Sequence, residues 1–447
     1  MNLLFLGDLR NCYNYGAIAT SEALIKMLYD RFPGVNVKYI DFRSLQNSTP
    51  IEGWDQHINS SLNTSFYQLL RTRIKNLYYK IRYGFIMIAP YGLVLRLQKK
   101  RGTQKEASTI SNKCYHIPFL FKDYDDWAKK MMNGSVLQYE KKLFDWADVV
   151  LVNGEGNVVN GTDENGVYRH RACYLLFMSW MAKTHFNLPV YIVNHCVDPN
   201  NYDAIEMIQK VYPLLDKIVV RDPMSLEKLQ SFGIDSAVFA PDALFSYENY
   251  DSWQPSVLLK KQIDFSKPYI LLGDSSGIQN VYGKVQWNVT FFFKCFIKRL
   301  QKIIPQVVFV DGYSESCEDI NSVIAETGIG RISLQNCSYQ ELYKVMSHAE
   351  IFISGRWHAS ILSLLAGTPI LLFGADSHKT RSLYSIINYP YKFFETISLP
   401  IHIDEMIEEV KKILLNRNSI TKEVTNICSK LKKESYYNVE CLKDIIE

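Results

Sequence analysis

Short apolar runs, each closed by small or polar residues and followed by a longer stretch with helical spacing, recur along the chain. They fall at 3–6, 37–40, 148–152, 190–193, 217–220, 269–272, 307–310, 351–353 and 370–373. Runs this short and this apolar fit strands buried on both faces. Helical patterning fills the intervals at 18–28, 122–147, 169–185, 225–232, 289–304, 339–347 and 359–366. Strands alternating with helices predict an α/β protein. A polar stretch at 248–267, with Trp253, Pro255 and Pro268 around it, reads as a linker. It predicts a first domain over 1–250, a second over 265–400, and charged amphipathic helices over 401–447. The first residues read as a strand rather than a signal peptide, and no run approaches the length of a transmembrane helix.

The polar residues gather where the apolar runs end, which is where open α/β sheets bind ligands. The stretch 351–379 is the most informative. Its first strand stops at Ser354-Gly355, Arg356 and His358 open an apolar helix, and the loop after the next strand carries His378 and Lys379. A helix start offers free backbone N–H groups and a positive dipole end, so cations clustered there suggest a phosphate or carboxylate pocket with a titratable group in it. The competing reading pairs Arg356 with a structural carboxylate and buries His358 in the core. Other strand ends carry Asn14 and Gly16, then Asn153, Gly154 and Glu155, then His195, then Arg221-Asp222, and, in the second domain, Ser275 in a small-residue loop. Arg221-Asp222 fits an ion pair or a ligand clamp. Asp242 follows Pro241 where the two domains should meet.

Several of these strings together resemble the polysaccharide pyruvyltransferase family. SGRWHASILSLLAGTP with SHK beyond it resembles the family's C-terminal signature, VVRDPMSLEKLQSFGI its V-R-D-x-x-S-x-x-x-L element, and Pro241-Asp242 its P-D-x-x-F turn. Asn14-Tyr15-Gly16 resembles its N-x-G entry, with alanine after the glycine where the family has aspartate. Glu155 stands where the family usually has a triple-glycine motif, and Asn194-His195 where it often has a glycine-rich turn.

The resemblance implies two Rossmann-like domains facing a cleft, as in GT-B proteins, with the donor on the second domain and the acceptor on the first. It implies transfer of pyruvate from phosphoenolpyruvate to a sugar of a cell-surface polysaccharide or its lipid-linked precursor, as a ketal, with no cofactor. Such chemistry needs cations for the donor's charges, an acid for its methylene carbon and a base for the sugar hydroxyl. Arg356 and Lys379 are the expected anion binders, and His358 the acid or base, since imidazole titrates near neutral pH. His195 or Glu155 is its expected counterpart, and Asp242 a helper at the cleft. Two other readings stay open: a GT-B glycosyltransferase using a nucleotide sugar, and a non-catalytic protein that keeps the fold.

Composition changes this picture in one place. A net charge of +4 implies no bulk polyanion partner. Ten of the 50 Lys and Arg residues nevertheless fall in 56–105, which has no Asp or Glu, leaving 40 basic against 46 acidic residues elsewhere. Aromatic and aliphatic residues interleave with those charges, so a basic helical insertion in the first domain is expected, with contact to an anionic membrane surface through 66–105. No motif accompanies the charge that would make nucleic acid its partner. The nine scattered cysteines show neither metal-ligand nor redox-motif spacing. No metal is therefore expected, and the setting is cytoplasmic, at the inner face of the membrane.

Overall fold

The computed structural model describes residues 1–10, 14–41, 117–159, 170–199, 201–248, 253–279, 287–311, 318–334 and 336–446. The basic segment 56–105 lies outside them. The first sheet has six parallel strands: β1 (Asn2–Asp8), β2 (Asn36–Asp41), β3 (Val149–Val159), β4 (Val190–Asp198), β5 (Lys217–Val220) and β6 (Val238–Phe239), in the order β2-β1-β3-β4-β5-β6. The second has five: β7 (Tyr269–Ser275), β8 (Gln306–Val310), β9 (Gly330–Ile332), β10 (Ile351–Gly355) and β11 (Ile370–Leu372), ordered β11-β10-β7-β8-β9 and parallel throughout.

Successive residues of a strand point to opposite faces, and the apolar runs supply a core on each side. Leu4, Leu6, Val150, Val152, Val190 and Ile192 enter one core of the first domain, while Leu3, Phe5, Val149, Leu151, Tyr191 and Val193 enter the other. The order of strands reverses between β1 and β3 in the first sheet and between β7 and β10 in the second. Crevices open at the C-terminal ends of strands at such switch points. Asn14 and Glu155 follow one reversal, and Asp274 and Arg356 the other.

The two domains share a core. Tyr15 and Ala19, near the start of helix Tyr15–Arg31, pack with Leu244 and Phe245 into the hydrophobic core of the second domain. Helix Arg417–Ser435 packs there through Ile420, Val424, Cys428 and Leu431, after which Val439 and Leu442 enter the first domain's core. Asn438 fastens this segment to the first domain: its Oδ1 accepts from the Asn194 backbone N–H (3.0 Å), and its Nδ2 donates to the Pro241 carbonyl (2.9 Å).

Several elements differ from the pattern-based expectation. The stretch 122–147 is two helices, Tyr124–Met132 and Gln138–Trp146, because Gly134 turns the chain in the left-handed region (φ 81°). Strands β3 and β4 run past their apolar cores to Val159 and Asp198, with register shifts near Glu155 and His195. Strands β6 and β9 and helix Lys379–Ile386 have too few apolar residues to announce themselves. Among the described residues, no helix is long and apolar enough to cross a membrane.

Candidate active site

The start of helix Tyr15–Arg31 sets one wall of the cleft. Asn14 is extended (φ −136°, ψ 117°), and its Oδ1 accepts from the N–H groups of Gly16 (2.9 Å) and Ala17 (3.2 Å). It is therefore the helix N-cap, satisfying two donors that no helical carbonyl can reach. Gly16 leaves room for the opposite wall: a Cβ added there would lie 2.3 Å from His358 Nδ1. His358 comes from the second domain, on the first turn of helix Trp357–Leu365, directly after β10.

Arg221, at the end of β5, is fully buried and lies at the centre of the charges. Its Nη1 is 2.9 Å from Asp242 Oδ2, 3.0 Å from His358 Nε2 and 3.5 Å from Glu155 Oε1, and its guanidinium carbon lies 5.3 Å from the centre of the Trp357 ring. Its Nε is buried without a hydrogen-bond partner. His358 Nε2 is also 3.3 Å from Asp242 Oδ2 and 3.7 Å from Glu155 Oε1. Asp242 accepts from Thr20 Oγ1 (2.7 Å), Trp357 Nε1 (2.9 Å) and the Leu244 N–H (2.9 Å). Four first-domain residues (Thr20, Glu155, Arg221 and Asp242) and two from the second (Trp357 and His358) thus share one largely buried polar cluster.

Electrostatics keeps its carboxylates ionised. Burial by itself raises the Asp242 carboxyl, but His358 and Arg221 hold it far below the usual range. Burial also works against the Glu155 anion, and Arg221 and then His358 bring that carboxyl below its ordinary value. The Glu155 backbone has φ 42°, a left-handed conformation that glycine adopts most readily. The main-chain geometry of a glycine turn is kept, and a carboxylate is placed on it. A cationic guanidinium, an imidazole and a partly exposed carboxylate around one cleft can bind an anion and move protons.

The family model for polysaccharide pyruvyl transferase matches residues 14–377. The chain belongs to the polysaccharide pyruvyl transferase family. It is a transferase acting on saccharide, as its sequence resemblance implied. No curated protein matches it in sequence. Its fold is shared with the S. aureus MnaA–UDP co-structure (11% identity, 95% of this chain and 90% of that one, TM-score 0.52) and with Medicago truncatula UGT71G1 complexed with UDP-glucose (11% identity, 100% and 98%, TM-score 0.50). These likenesses are of architecture, the two-domain GT-B arrangement.

Within this pyruvyl transferase the remaining sequence candidates are placed as follows. Arg356 is not an open cation: its Nε and Nη2 hold Asp274 Oδ1 (2.5 Å) and Oδ2 (2.8 Å) in a buried bidentate pair. Lys379 pairs with Asp376 (2.7 Å). Both expected anion binders thus hold carboxylates of their own domain, and Arg221 is the cation in the central cluster. Ser275 is buried, donating to the Gly374 carbonyl (2.5 Å) and accepting from the Gly277 N–H (2.9 Å), so it shapes a loop rather than lining the cleft.

His195 is also a correction. It is fully buried, with Nδ1 3.0 Å from the Val219 carbonyl and Nε2 3.1 Å from the Tyr212 hydroxyl, and burial pushes it down to about 4. With both ring nitrogens engaged it is a core residue, not the counterpart of His358. Gly154 makes space for it, since a Cβ there would stand 2.3 Å from His195 Cβ. Asn153 is buried as well, donating to the Gly7 carbonyl (3.2 Å) and Ser21 Oγ (3.1 Å) and accepting from Asn194 Nδ2 (3.3 Å), which makes it scaffold and not a substrate contact. His378 crosses the domain boundary to Asp222 (2.9 Å) and Asp198 (3.4 Å).

Sequence reasoning missed Trp357, Thr20 and Asp274. Trp357 stands between two residues it singled out, and a tryptophan on the first turn of a strand-end helix needs a partner for its N–H when buried. Thr20 gave no signal, lying one helical turn beyond Gly16.

Proposed function

We propose that the donor is phosphoenolpyruvate and that two hydroxyls of the saccharide acceptor receive its pyruvyl carbons as a ketal. The donor's methylene carbon takes a proton, making C2 electrophilic. A sugar hydroxyl adds to C2 and gives up its proton. Phosphate leaves with the C2–O electron pair, and the second hydroxyl, losing its proton, closes the ketal. No organic cofactor enters this balance.

The observation that carries the reading, together with family membership, is the Glu155–Arg221–Asp242–His358 constellation spanning the cleft. Arg221, with a buried Nε left over, is the anion-binding cation. His358 and Glu155, 3.7 Å apart, form the proton-transfer pair, and Asp242 fixes both the guanidinium and the imidazole. Arg221 reaches the donor from the first domain and His358 from the second, so the donor is held across the cleft rather than on the second domain alone. Because Arg356 and His358 are only 9% and 8% exposed, the domains part to admit substrates. The basic, aromatic run 66–105 supports work on a lipid-linked precursor of a cell-surface polysaccharide, at the inner face of the cytoplasmic membrane.

The test is to incubate the protein with phosphoenolpyruvate labelled with ¹³C at C2 and a panel of extracted surface glycans. The label should enter the glycan as a ketal carbon, with equimolar release of phosphate. Phosphoenolpyruvate left intact with every glycan, while a nucleotide sugar is consumed, would overturn the reading.

A further inference from the structure

A second cluster lies outside this machinery. Cys196, at the end of β4, Asp222, after β5, and His378, before helix Lys379–Ile386, bring one sulfur, one carboxylate oxygen and one ring nitrogen within 4.8 Å of one another. Cys196 and Asp222 are fully buried, and His378 is nearly so. His378 Nε2 is 3.7 Å from Cys196 Sγ and 2.9 Å from Asp222 Oδ1. A tetrahedral zinc ion with ordinary bond lengths sets nitrogen and sulfur about 3.6 Å apart, and nitrogen and oxygen about 3.4 Å apart. The first spacing is already present, and the second needs only a small opening.

The surroundings of the histidine add a separate observation. Its other ring nitrogen, Nδ1, is 3.4 Å from Asp198 Oδ2, and its backbone N–H donates to the same oxygen (3.3 Å). A histidine that ligates a metal with one nitrogen ordinarily gives the other N–H to a carboxylate or carbonyl, which fixes tautomer and ring orientation. Here that carboxylate leaves Nε2 facing the thiol and Asp222. Asp222 is itself held by the Ser225 backbone N–H (2.8 Å) and hydroxyl (2.6 Å), as a ligating carboxylate should be. A divalent ion would displace the protons of the thiol and the imidazole on binding, and the three ligands would then carry two negative charges, enough to neutralise it. His378 also lines a cavity of about 230 Å³ together with Gly374, Asp376 and Arg381.

The geometry points to a transition-metal site, for zinc or a similar thiolate-tolerant divalent ion, formed by Cys196, Asp222 and His378 and oriented by Asp198. The first two ligands belong to the first domain and the third to the second, so the ion joins the domains beside the cleft. Its role is to set their approach, apart from the proton transfers at His358. Sequence spacing predicted no metal because the ligands lie up to 182 residues apart.

The full-length protein, stripped with chelator, would be titrated with Zn²⁺ and with Co²⁺ and its metal content measured after desalting. One equivalent per chain is expected. The cobalt form should show a thiolate-to-cobalt charge-transfer band in the near ultraviolet that is missing from Cys196→Ser. Asp198→Asn, which leaves all three ligands in place, should bind about 10–100-fold more weakly. Circular dichroism of each variant separates loss of ligand from loss of fold. Less than stoichiometric metal in the wild type, or equal content in folded Cys196→Ser and His378→Gln, would overturn the site. None of these readouts depends on activity, so the outcome is independent of the donor assignment.

Discussion

At Gly16 one methyl group decides whether His358 keeps its place. Alanine is ordinarily favoured over glycine in a helix by about 1 kcal/mol. Here its Cβ would press on the imidazole at 2.3 Å. Gly16→Ala should therefore lower kcat by at least tenfold while the circular dichroism spectrum stays unchanged; a variant with full activity would show that His358 has room to spare. Glu155 makes the opposite case. Its left-handed backbone costs a non-glycine residue about 1–2 kcal/mol, so Glu155→Gly should raise the melting temperature and, by removing a proton carrier, cut kcat by about 10²–10⁴-fold. Steady-state kinetics and thermal melts read both effects. His195 gives a pH dependence. Its folded pKa of about 4 lies below the ordinary histidine value, so the unfolded chain binds the extra proton first and stability rises with pH between about 4 and 6.5. Melts across that window should flatten in His195→Gln. An unchanged slope would place the acid sensitivity elsewhere.

At the scale of elements, the sequence made nine of the eleven described strands and most helices legible, because runs buried on both faces leave no choice of period. The strand ends were legible as places and less so as roles. His195 and Asn153 sit where the apolar runs end, but β3 and β4 continue past them to Val159 and Asp198, so both lie inside the sheet, where their polar atoms are taken up by backbone carbonyls and neighbouring side chains. The partners of Arg356 and Arg221 could not be read either. Asp274 is 82 residues from Arg356 and meets it through the pairing of β7 with β10, and His358 is 137 residues from Arg221 and meets it only through the packing of the two domains. Asn14 was legible as a loop asparagine and is in fact the cap that fixes where Gly16 stands.

Across the whole molecule the C-terminal segment ties the two sheets together. Asn438 is fully buried and bonds to main-chain groups of Asn194 and Pro241, immediately before Asp242. Replacing it with alanine leaves a buried N–H and a buried carbonyl without partners, at about 1–3 kcal/mol each. Asn438→Ala should lower the unfolding midpoint in urea by the corresponding amount. It should also reduce kcat/KM through Asp242, although Asn438 touches none of the charged cluster. Stability unchanged within about 0.5 kcal/mol would mean the junction relaxes around the loss.

The central claim is that the cluster around Arg221 and His358 accepts phosphoenolpyruvate. Isothermal titration of the purified protein with phosphoenolpyruvate, and in parallel with UDP-glucose and UDP-N-acetylglucosamine, tests it most directly. Saturable binding of phosphoenolpyruvate is expected, weakened at least tenfold in folded Arg221→Lys, with no heat from either nucleotide sugar. Saturable binding of a nucleotide sugar with none of phosphoenolpyruvate would contradict it.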